Sequence, residues 1–327
     1  MRAACYEKTG PARDVLQIRD VPTPVPGRGE VRVKIAWSGV NPSDVKTRSG
    51  VRSRQLPFPQ ISPHSDGAGV IDQVGPEVSC ARLGEPVWLW NAAWERPCGT
   101  AADYIVVPEM QAVRLPDNVD PAVGACLGIP ALTAYHAVAL DGGVAGKTVL
   151  VTGGAGAVGY YAIQFARLLG ARRLFTTVSS PETAALARQA GADVVCNYRD
   201  ANFREAMQEA SRGNGVDRII EVDLAANAAA DLEVLAPGGD IIVYGSGAAE
   251  MSLPFFPLIL KDARLHFFIV YKLPWAVRER VLAHLTDLLA RGSLRHHIAA
   301  RLPLEQIAEA HEMVEQGQVI GNVLLSP

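Results

Sequence analysis

The chain has 327 residues, which is enough for two domains with substantial hydrophobic cores. Hydrophobic residues make up 49% of it and charged residues 20%, as in ordinary soluble globular proteins, and the net charge of −3 gives no electrostatic reason to expect binding to nucleic acid. No apolar run approaches the roughly 20 residues that span a bilayer, and the opening "MRAACYEKTG" lacks the apolar centre of a signal peptide. We therefore expect a cytoplasmic protein with no membrane and no nucleic-acid partner.

The N-terminal part of the chain predicts an all-β unit. The segment "EVRVKIAWSGV" (Glu30 to Val40) alternates apolar and polar residues, which is typical of a half-buried strand. The runs "GAGVIDQVG" and "EPVWLW" have the composition of further strands between turn residues. Short strands punctuated by glycine and proline in this way favour a partly open β-barrel.

From about Leu127 the pattern changes to strands that alternate with helices. After the helical spacing of "GIPALTAYHAVAL", the predicted strands are "KTVLVTG", "RRLFTTV", "ADVVCNY", "VDRIIEVD" and "DIIVYGS", and the predicted helices between them are "VGYYAIQFARLLG", "ETAALARQAG", "NFREAMQEAS" and "ANAAADLEVLA". This alternation predicts an α/β domain with a doubly wound parallel sheet. Continuous apolar runs such as "TVLV" suit strands that are buried on both faces.

The tail from about Leu265 returns to a mixed pattern. It predicts a helix near Ala276 to Arg291, another near Leu304 to Gln316, and a last strand "GNVLLS". Such a tail can return to the first domain and complete it.

A glycine loop follows the first strand of the alternating region. Gly154, Gly156 and Gly159 satisfy the spacing G-x-G-x-x-G, between the apolar run "TVLV" and a helix with an apolar stripe. Strand, tight turn and helix are the setting that a dinucleotide site requires, since the glycines admit a pyrophosphate and the helix N-terminus supplies free N–H groups. The alternative is a tight turn without a ligand.

The end of the second strand bears on which dinucleotide binds. An acid that reads the ribose 2′-hydroxyl of NADH belongs about 20 residues after the loop. That position falls in "TTVSS" (Thr176 to Ser180), which holds no acid, and Glu182 comes slightly late. Small uncharged residues leave room for a 2′-phosphate, so we expect NADPH, with NADH as the alternative. The same stretch holds no arginine or lysine to pair with that phosphate.

Four motifs together resemble those of a known family. The segments "GVNPSDVKTRSG", "PHSDGAGVIDQVG", "GIPALTAYHA" and "VLVTGGAGAVG" occur in the order seen in the medium-chain dehydrogenase/reductases, and they look most like the zinc-independent quinone oxidoreductase, or zeta-crystallin-like, branch. The resemblance implies a GroES-like catalytic domain formed by residues 1–122 and 265–327 and a Rossmann domain formed by residues 123–264. It also implies an active site in the cleft between the domains and a homodimer.

The resemblance further implies where a catalytic zinc would be held in related alcohol dehydrogenases. The three ligand positions carry over to Asn41, Ser65 and Ile129, none of which supplies the thiolate or imidazole that zinc prefers. His64 and Cys126 lie close to two of these positions, so a shifted site is the alternative. Without a Lewis acid, hydride transfer to an already electrophilic acceptor is easier than oxidation of an alcohol. We therefore expect no metal and an activated acceptor, a quinone or an α,β-unsaturated carbonyl (enone).

Two residues are predicted to be catalytic. Asn41 matches the asparagine that the family places beside the nicotinamide, where its amide can hydrogen-bond the acceptor oxygen or a ribose hydroxyl; the alternative is a turn residue before Pro42. Lys46 stands where quinone oxidoreductases often have tyrosine and some enone reductases have lysine. It is predicted to bind the nicotinamide ribose or to assist protonation of the enolate, and the alternative is a solvated surface lysine.

The remaining predicted contacts to the cofactor come from the glycine loop and from the resemblance. Thr133 is implied to pack near the nicotinamide, Tyr198 to line the adenosine phosphate pocket, and two later segments to face the nicotinamide. The family lysine that binds the 2′-phosphate aligns with Thr183. The full predicted set is Lys46, Thr133, Gly154, Ala155, Gly156, Ala157, Val158, Gly159, Ser179, Tyr198, Tyr244, Gly245, Ser246, Phe268, Ile269 and Val270.

Two rival functions stay open on the sequence. One is an alcohol dehydrogenase with an atypical zinc site. The other is a non-catalytic NADPH-binding protein of the crystallin or RNA-interacting kind, against which the acidic charge balance argues.

Overall fold

The computed structural model describes residues 1–200 and 203–327. It divides into two compact units. Unit 1 comprises Met1–Pro130 and Arg278–Pro327, and unit 2 comprises Ala131–Val277. The predicted helix "NFREAMQEAS" begins at Asn202, which lies outside the described residues.

The N-terminal segment of unit 1 consists mainly of strands. Its strands are β1 (Arg2–Cys5), β2 (Gln17–Asp20), β3 (Glu30–Val40), β4 (Asp66–Val74), β5 (Pro86–Leu89), β6 (Tyr104–Pro108) and β7 (Ala112–Arg114). Its helices are α1 (Ala12–Val15), α2 (Pro42–Ser49) and α3 (Pro121–Gly124), followed by a π-helical turn (Leu127–Ala131).

Unit 2 alternates strands and helices. Its strands are β8 (Thr148–Val151), β9 (Arg173–Val178), β10 (Val194–Asn197), β11 (Val216–Glu221), β12 (Leu235–Val243) and β13 (Arg264–Phe267). Its helices are α4 (Leu132–Ala139), α5 (Ala157–Leu168), α6 (Pro181–Ala190), α7 (Phe203–Ala210), α8 (Leu224–Val234) and α9 (Phe255–Leu260). The chain then continues through α10 (Trp275–Ala290), β14 (Ile298–Pro303), α11 (Ile307–Glu315) and β15 (Asn322–Ser326).

The main sheet of unit 1 has the strand order β14-β15-β3-β4-β5-β7, with β6 also paired to β3. Strand β3 has the bounds that its alternation predicts, and Val31, Val33 and Ile35 point into the core while Lys34 is exposed. The C-terminal strand β15 pairs antiparallel with β3, with Leu324 opposite Gly39. The tail of the chain is therefore part of the sheet that the N-terminal segment begins.

The sheet of unit 2 has the order β10-β9-β8-β11-β12-β13, and all its pairs are parallel. Counted along the chain this is 3-2-1-4-5-6, the order of the Rossmann fold. The side chains of Val149 to Val151 are buried, as expected of a strand covered on both faces. The predicted fold class, a GroES-like domain plus a Rossmann domain, is confirmed.

The sheet of unit 2 extends further along the chain than the sequence indicates. Strand β13 pairs with β12 in register, with Leu265 opposite Ile241. The predicted domain boundary at 264/265 therefore falls within β13, whereas the compact unit continues to Val277. Among the described residues, no helix combines the length and the apolar character needed to cross a membrane.

Candidate active site

The glycine loop lies between β8 and α5, beside the point where the strand order reverses. A Cβ atom on Gly154 would lie 2.0 Å from Thr176 Oγ1, and one on Gly159 would lie 2.3 Å from the Gly153 carbonyl oxygen, so packing within unit 2 forbids side chains there. A Cβ on Gly156 would come no closer than 3.3 Å to Gly153. Packing within the protein therefore does not require a glycine at position 156. The absence of a side chain there leaves room for a ligand to approach the backbone.

The N-terminus of α5 has the properties of an anion site. Gly156 is the N-cap residue and provides no side chain to accept from the first N–H groups of the helix, which belong to Ala157, Val158 and Gly159. Uncapped N–H groups and the positive end of the helix dipole together favour a phosphate. Strand, loop and helix therefore fit the pyrophosphate of a dinucleotide, and Ala155 is buried within the same turn.

The end of β9 carries hydroxyl groups and no acid. Ser179 follows the strand directly and is half-buried. Ser180 is the N-cap of α6, where its hydroxyl accepts from the Thr183 backbone N–H at 3.2 Å. Thr183 is buried in this cap, so it does not replace the lysine that the family resemblance implies there. Glu182 is exposed in the first turn of α6.

A cation that sequence reasoning missed lies close to this strand end. The backbone N–H of Tyr198 donates to the Val178 carbonyl at 3.0 Å, which places Tyr198 beside the end of β9. The ring of Tyr198 is half exposed, and the guanidinium carbon of Arg199 lies 5.8 Å from its centre. The sequence signal for Arg199 is its position next to Tyr198, just after β10, the strand that pairs with β9.

The other predicted cofactor segments follow β12 and β13. Tyr244 donates its backbone N–H to Glu221 at 3.1 Å, and Gly245 has no room for a side chain because a Cβ would lie 2.3 Å from the Val222 carbonyl oxygen. Ser246 Oγ donates to the Ala248 carbonyl at 2.8 Å. These residues follow the carboxyl end of β12, at the same edge of the parallel sheet as the glycine loop.

The segment after β13 reaches that same edge. Phe268 donates its backbone N–H to the Val243 carbonyl at 3.2 Å, Ile269 is partly exposed, and Val270 is buried. The Phe268 ring packs edge-on against His136 of α4 at 4.7 Å. Thr133 is buried on the same helix, which packs against α5. The structure thus brings the predicted segments of unit 2 to one edge of the sheet and to the neighbouring helix.

Asn41 belongs to a buried polar cluster in unit 1. It is the N-cap of α2 and only 4% exposed, and its backbone N–H donates to Asp44 Oδ2 at 2.9 Å, half of a capping box. Its side-chain Nδ2 donates to Asp66 Oδ2 at 2.9 Å. The backbone N–H of Ile129, in the π-helical turn, donates to the same oxygen at 3.0 Å. Asn41 caps α2 and Lys46 lies within it, but Lys46 comes five positions after Asn41, so the two predicted catalytic residues do not share a helix face.

Burial disfavours the ionised form of both carboxyl groups in this cluster, those of Asp44 and Asp66. Burial raises the pKa of Asp44 to about 7, although the hydrogen bond from Asn41 opposes the shift. Burial also raises the pKa of Asp66 well above its ordinary value. Sequence reasoning missed both residues; the available signals were the capping-box spacing of "NPSD" and the position of Asp66 at the start of a strand. Lys46 is half-buried in the last turn of α2.

The residues considered for a shifted zinc site have other partners. His64 is fully buried and has a φ of 81°; its Nδ1 lies 2.8 Å from Ser38 Oγ and its Nε2 lies 2.9 Å from His311 Nε2. Cys126 is buried and its thiol donates to the Ala122 carbonyl at 3.5 Å. Across residues 1–200 and 203–327, no group of three or more His, Cys, Asp or Glu side chains is arranged to hold a metal ion.

The chain is similar to known proteins along nearly its whole length. Residues 27–117 match the alcohol dehydrogenase GroES-like domain, and residues 157–289 match the zinc-binding dehydrogenase family. Quinone oxidoreductase from Homo sapiens is 33% identical, over 97% of this chain and 94% of that protein. Quinone oxidoreductase from Pseudomonas aeruginosa is 29% identical, over 96% of each chain.

Solved structures are also similar to this chain over its full length. An NAD-dependent alcohol dehydrogenase superposes with a TM-score of 0.92 at 29% identity, and a mycobacterial protein in complex with NADPH superposes with a TM-score of 0.89 at 30% identity. In both cases the match covers 100% of each chain. The motifs, the Rossmann strand order and the full-length similarity lead to one conclusion: the chain belongs to the quinone oxidoreductase family of the medium-chain dehydrogenase/reductases.

Proposed function

We propose that this chain is an NADPH-dependent oxidoreductase that reduces quinones or α,β-unsaturated carbonyls without a catalytic metal. The observation that carries the proposal is the glycine loop, which lies where the strand order of the 3-2-1-4-5-6 sheet reverses. At Gly156 in this loop, neighbouring atoms do not exclude a side chain, so a ligand is the better reason for the glycine. Relatives named quinone oxidoreductase and a similar structure in complex with NADPH support it. Bound NADPH supplies the hydride.

The residues of unit 2 have distinct roles in this proposal. The backbone from Gly154 to Gly159 holds the pyrophosphate through uncapped N–H groups. Ser179 and the exposed Tyr198 border the adenosine ribose, and Arg199 supplies the positive charge that a 2′-phosphate requires. The segments Tyr244–Ser246 and Phe268–Val270, together with Thr133, form the nicotinamide end.

The residues of unit 1 position and polarise the acceptor. Asn41 donates an amide N–H to the acceptor oxygen or to a ribose hydroxyl, and Lys46 binds the nicotinamide ribose or protonates the enolate. Asn41, Ser65 and Ile129 occupy the three positions at which related zinc enzymes hold their metal, and none of them is a zinc-ligating residue type. A site that polarises by hydrogen bonds alone favours acceptors that are already electrophilic.

NADPH oxidation in the presence of EDTA tests this function. The purified chain is offered a simple quinone, an enone and an aldehyde in parallel, first with NADPH and then with NADH, while absorbance of the reduced nicotinamide is followed. Turnover of the quinone or the enone despite the chelator supports the proposal. Chelator-sensitive turnover of the aldehyde, with zinc found by metal analysis, would replace it with an alcohol dehydrogenase. Tight NADPH binding without turnover of any acceptor would favour the non-catalytic rival.

The proposal includes a homodimer and a cytoplasmic location. The side chains of Phe255, Phe256, Ile259 and Leu260 on α9 are between 59% and 81% exposed, and Phe267 on the outermost strand β13 is 55% exposed. Exposed apolar surface of this kind marks interaction sites. All five cysteines are free thiols, as in reducing compartments.

Light scattering tests the homodimer. We expect a mass of twice 34.9 kDa for the wild-type chain and the monomer mass for Phe256→Glu combined with Leu260→Glu. Val51→Glu, at a 69% exposed position of unit 1, is the matched control and is expected to leave the dimer intact. A monomeric wild-type chain would contradict the homodimer.

A further inference from the structure

An open cavity of about 420 Å³ lies at the amino-terminal edge of the sheet in unit 2. It is lined by residues at or near the starts of five parallel strands: Ala145, Gly146, Lys147, Arg172, Asp217, Pro237, Gly238, Gly239 and Arg264. A cavity of this size accommodates a small molecule. The glycine loop follows the carboxyl end of β8, so the cavity and the dinucleotide site lie at opposite edges of one sheet.

The cavity carries an excess of positive charge. Its charged side chains are three cations and one acid, namely Lys147, Arg172, Arg264 and Asp217. Lys147 Nζ lies 3.9 Å from Asp240 Oδ2, but Arg218 already neutralises Asp240 through two hydrogen bonds, of 2.8 and 2.7 Å. The cations of the cavity therefore outnumber its acid by two, and the cavity attracts anions.

Hydrogen bonds hold the two guanidinium groups at separate places. Arg172 Nη2 donates to Thr148 Oγ1 at 3.0 Å, at the start of β8. Arg264 Nη2 donates to the Gly238 carbonyl at 2.9 Å, near the start of β12. Strand β11 lies between β8 and β12, so these anchoring points are two strand spacings apart, about 10 Å. Within the described ranges, neither guanidinium has a carboxylate at ion-pair distance, so most of the N–H groups of each are left for a ligand.

Asp217 separates the two anchored guanidinium groups, because it lies near the start of the intervening strand β11. Its Oδ2 accepts from the Thr148 backbone N–H at 2.7 Å, which holds the carboxylate in place. A carboxylate repels a nearby anionic group and accepts hydrogen bonds from hydroxyl groups. The cavity therefore favours a ligand with anionic groups at its ends and hydroxyl groups between them.

We propose that this cavity is a second binding site, for a small hydroxylated molecule that carries a phosphate group at each end, such as a sugar bisphosphate. One phosphate binds Arg172 and Lys147, and the other binds Arg264. Arginine suits both phosphates because its planar fork of N–H groups binds them bidentately. Hydroxyl groups in the middle of the ligand donate to Asp217. Because the cavity and the glycine loop lie at opposite edges of the sheet, this ligand and NADPH do not compete.

Isothermal titration calorimetry with fructose 1,6-bisphosphate tests the site directly. At fixed ionic strength we expect one molecule to bind per chain with a Kd of about 0.1 mM or lower, as charge-assisted hydrogen bonds at both ends provide. Fructose 6-phosphate and inorganic phosphate, with one phosphate each, should bind at least about tenfold more weakly. Hexanediol bisphosphate, which lacks the hydroxyl groups, should also bind about tenfold more weakly. Equal affinity for all four compounds, or no binding of fructose 1,6-bisphosphate, would overturn the proposal.

The same titration with saturating NADPH distinguishes the cavity from the glycine loop. We expect the Kd for fructose 1,6-bisphosphate to be unchanged. Competition between the two ligands would place the bisphosphate in the dinucleotide site and would overturn a separate one. A chain that binds no NADPH would contradict the proposed function, whereas the titration without cofactor would still test the cavity.

Substitution of each arginine tests the two ends of the cavity. Arg172→Gln and Arg264→Gln should each raise the Kd for fructose 1,6-bisphosphate about 10- to 100-fold, the range for a hydrogen bond to a charged group. Both side chains are exposed, so thermal unfolding should change little. Arg188→Gln, exposed on α6 outside the cavity, is the matched control and should leave the Kd unchanged. An unchanged Kd in either cavity variant, or equal weakening in all three variants, would overturn the site.

Discussion

His64 and His311 are joined inside unit 1 by a hydrogen bond of 2.9 Å between their Nε2 atoms, and both rings are fully buried. The direction of this bond follows from its neighbours. Thr100 donates to the Asp66 carbonyl, so Ser38 Oγ must donate to Thr100 Oγ1 and accept from His64 Nδ1. A neutral His64 with its proton on Nδ1 leaves Nε2 as an acceptor, and His311 is then the donor.

This buried pair predicts a specific sensitivity to acid. Burial lowers the pKa of His64 to about 3, and burial together with the charges of His64 and Arg48 lowers the pKa of His311 well below its ordinary value. The unfolded chain takes up these protons near pH 6.5 and the folded chain does not, so stability falls as the pH drops from about 6.5 toward 3. Each histidine contributes about 1.4 kcal/mol per pH unit.

Urea unfolding at pH 7.0 and 5.5 isolates the contribution of His311. We expect wild type to lose about 1.3 kcal/mol more unfolding free energy than His311→Gln over this interval, because the unfolded chain is only partly protonated at this position near pH 6.5. The raised pKa values of Asp44 and Asp66 act with the opposite sign in this range, but both proteins contain these residues and the contributions cancel. His266→Gln, at a side chain 42% exposed, is the control. Parallel losses in wild type and His311→Gln would contradict the prediction.

Gly156 and Gly154 are expected to respond differently to substitution. Gly156→Asp places a carboxylate against the pyrophosphate, and like charges at close range cost several kcal/mol, so the Kd for NADPH should rise at least about 100-fold. Gly154→Ala instead forces a Cβ against Thr176 and should cost about 1–3 kcal/mol of stability. Nicotinamide fluorescence and thermal melts measure the two effects. Unchanged NADPH affinity in Gly156→Asp would show that the glycine loop does not bind the pyrophosphate.

Arg199 is expected to discriminate between the two nicotinamide dinucleotides. Arg199→Gln should raise the Kd for NADPH about 10- to 100-fold, the range for a hydrogen bond to a charged group, and should leave the Kd for NADH unchanged. Arg188→Gln, at an exposed position near the end of α6, is the matched control. Equal effects on both cofactors would show that Arg199 does not read the 2′-phosphate.

Lys46 is expected to matter more for turnover than for folding. Lys46→Ala should lower kcat about 100-fold if the amine transfers a proton, while the midpoint of thermal unfolding changes by only a few degrees. Lys34→Ala, at an exposed position of β3, controls for loss of a surface charge. Wild-type activity in Lys46→Ala would identify Lys46 as a surface residue.

The sequence predicts those strands and helices whose burial leaves a hydrophobic pattern in consecutive residues. The Rossmann strands β8 and β12 contain continuous apolar runs because both their faces are buried. Strand β13 lies at the edge of the sheet and Phe267 is largely exposed, so it has no such run and was missed. Helix α9 was missed for a related reason, since four of its apolar side chains are exposed and Leu258 packs against the core; the exposed four are Phe255, Phe256, Ile259 and Leu260.

The candidate site likewise has one part that is contiguous in the sequence and one part that is not. The glycine loop is one contiguous motif, and its residues are identifiable without the structure. The cluster around Asn41 is not, because its partners Asp66 and Ile129 are far away in the chain: Asp66 lies 25 residues after Asn41, and Ile129 lies 63 residues after Asp66. Only the pairing of β3 with β4 and the π-helical turn bring these three residues together.

The pairing of β15 with β3 also has a consequence for the order in which the molecule assembles during synthesis. Residues 38–40 of β3 leave the ribosome early, but their partners, residues 323–325, are made only after all of unit 2. Unit 2 is one continuous segment, so it is able to fold while this side of β3 still lacks its neighbour. The nascent chain therefore carries an unsatisfied strand edge through most of its translation, the kind of surface that chaperones protect from aggregation.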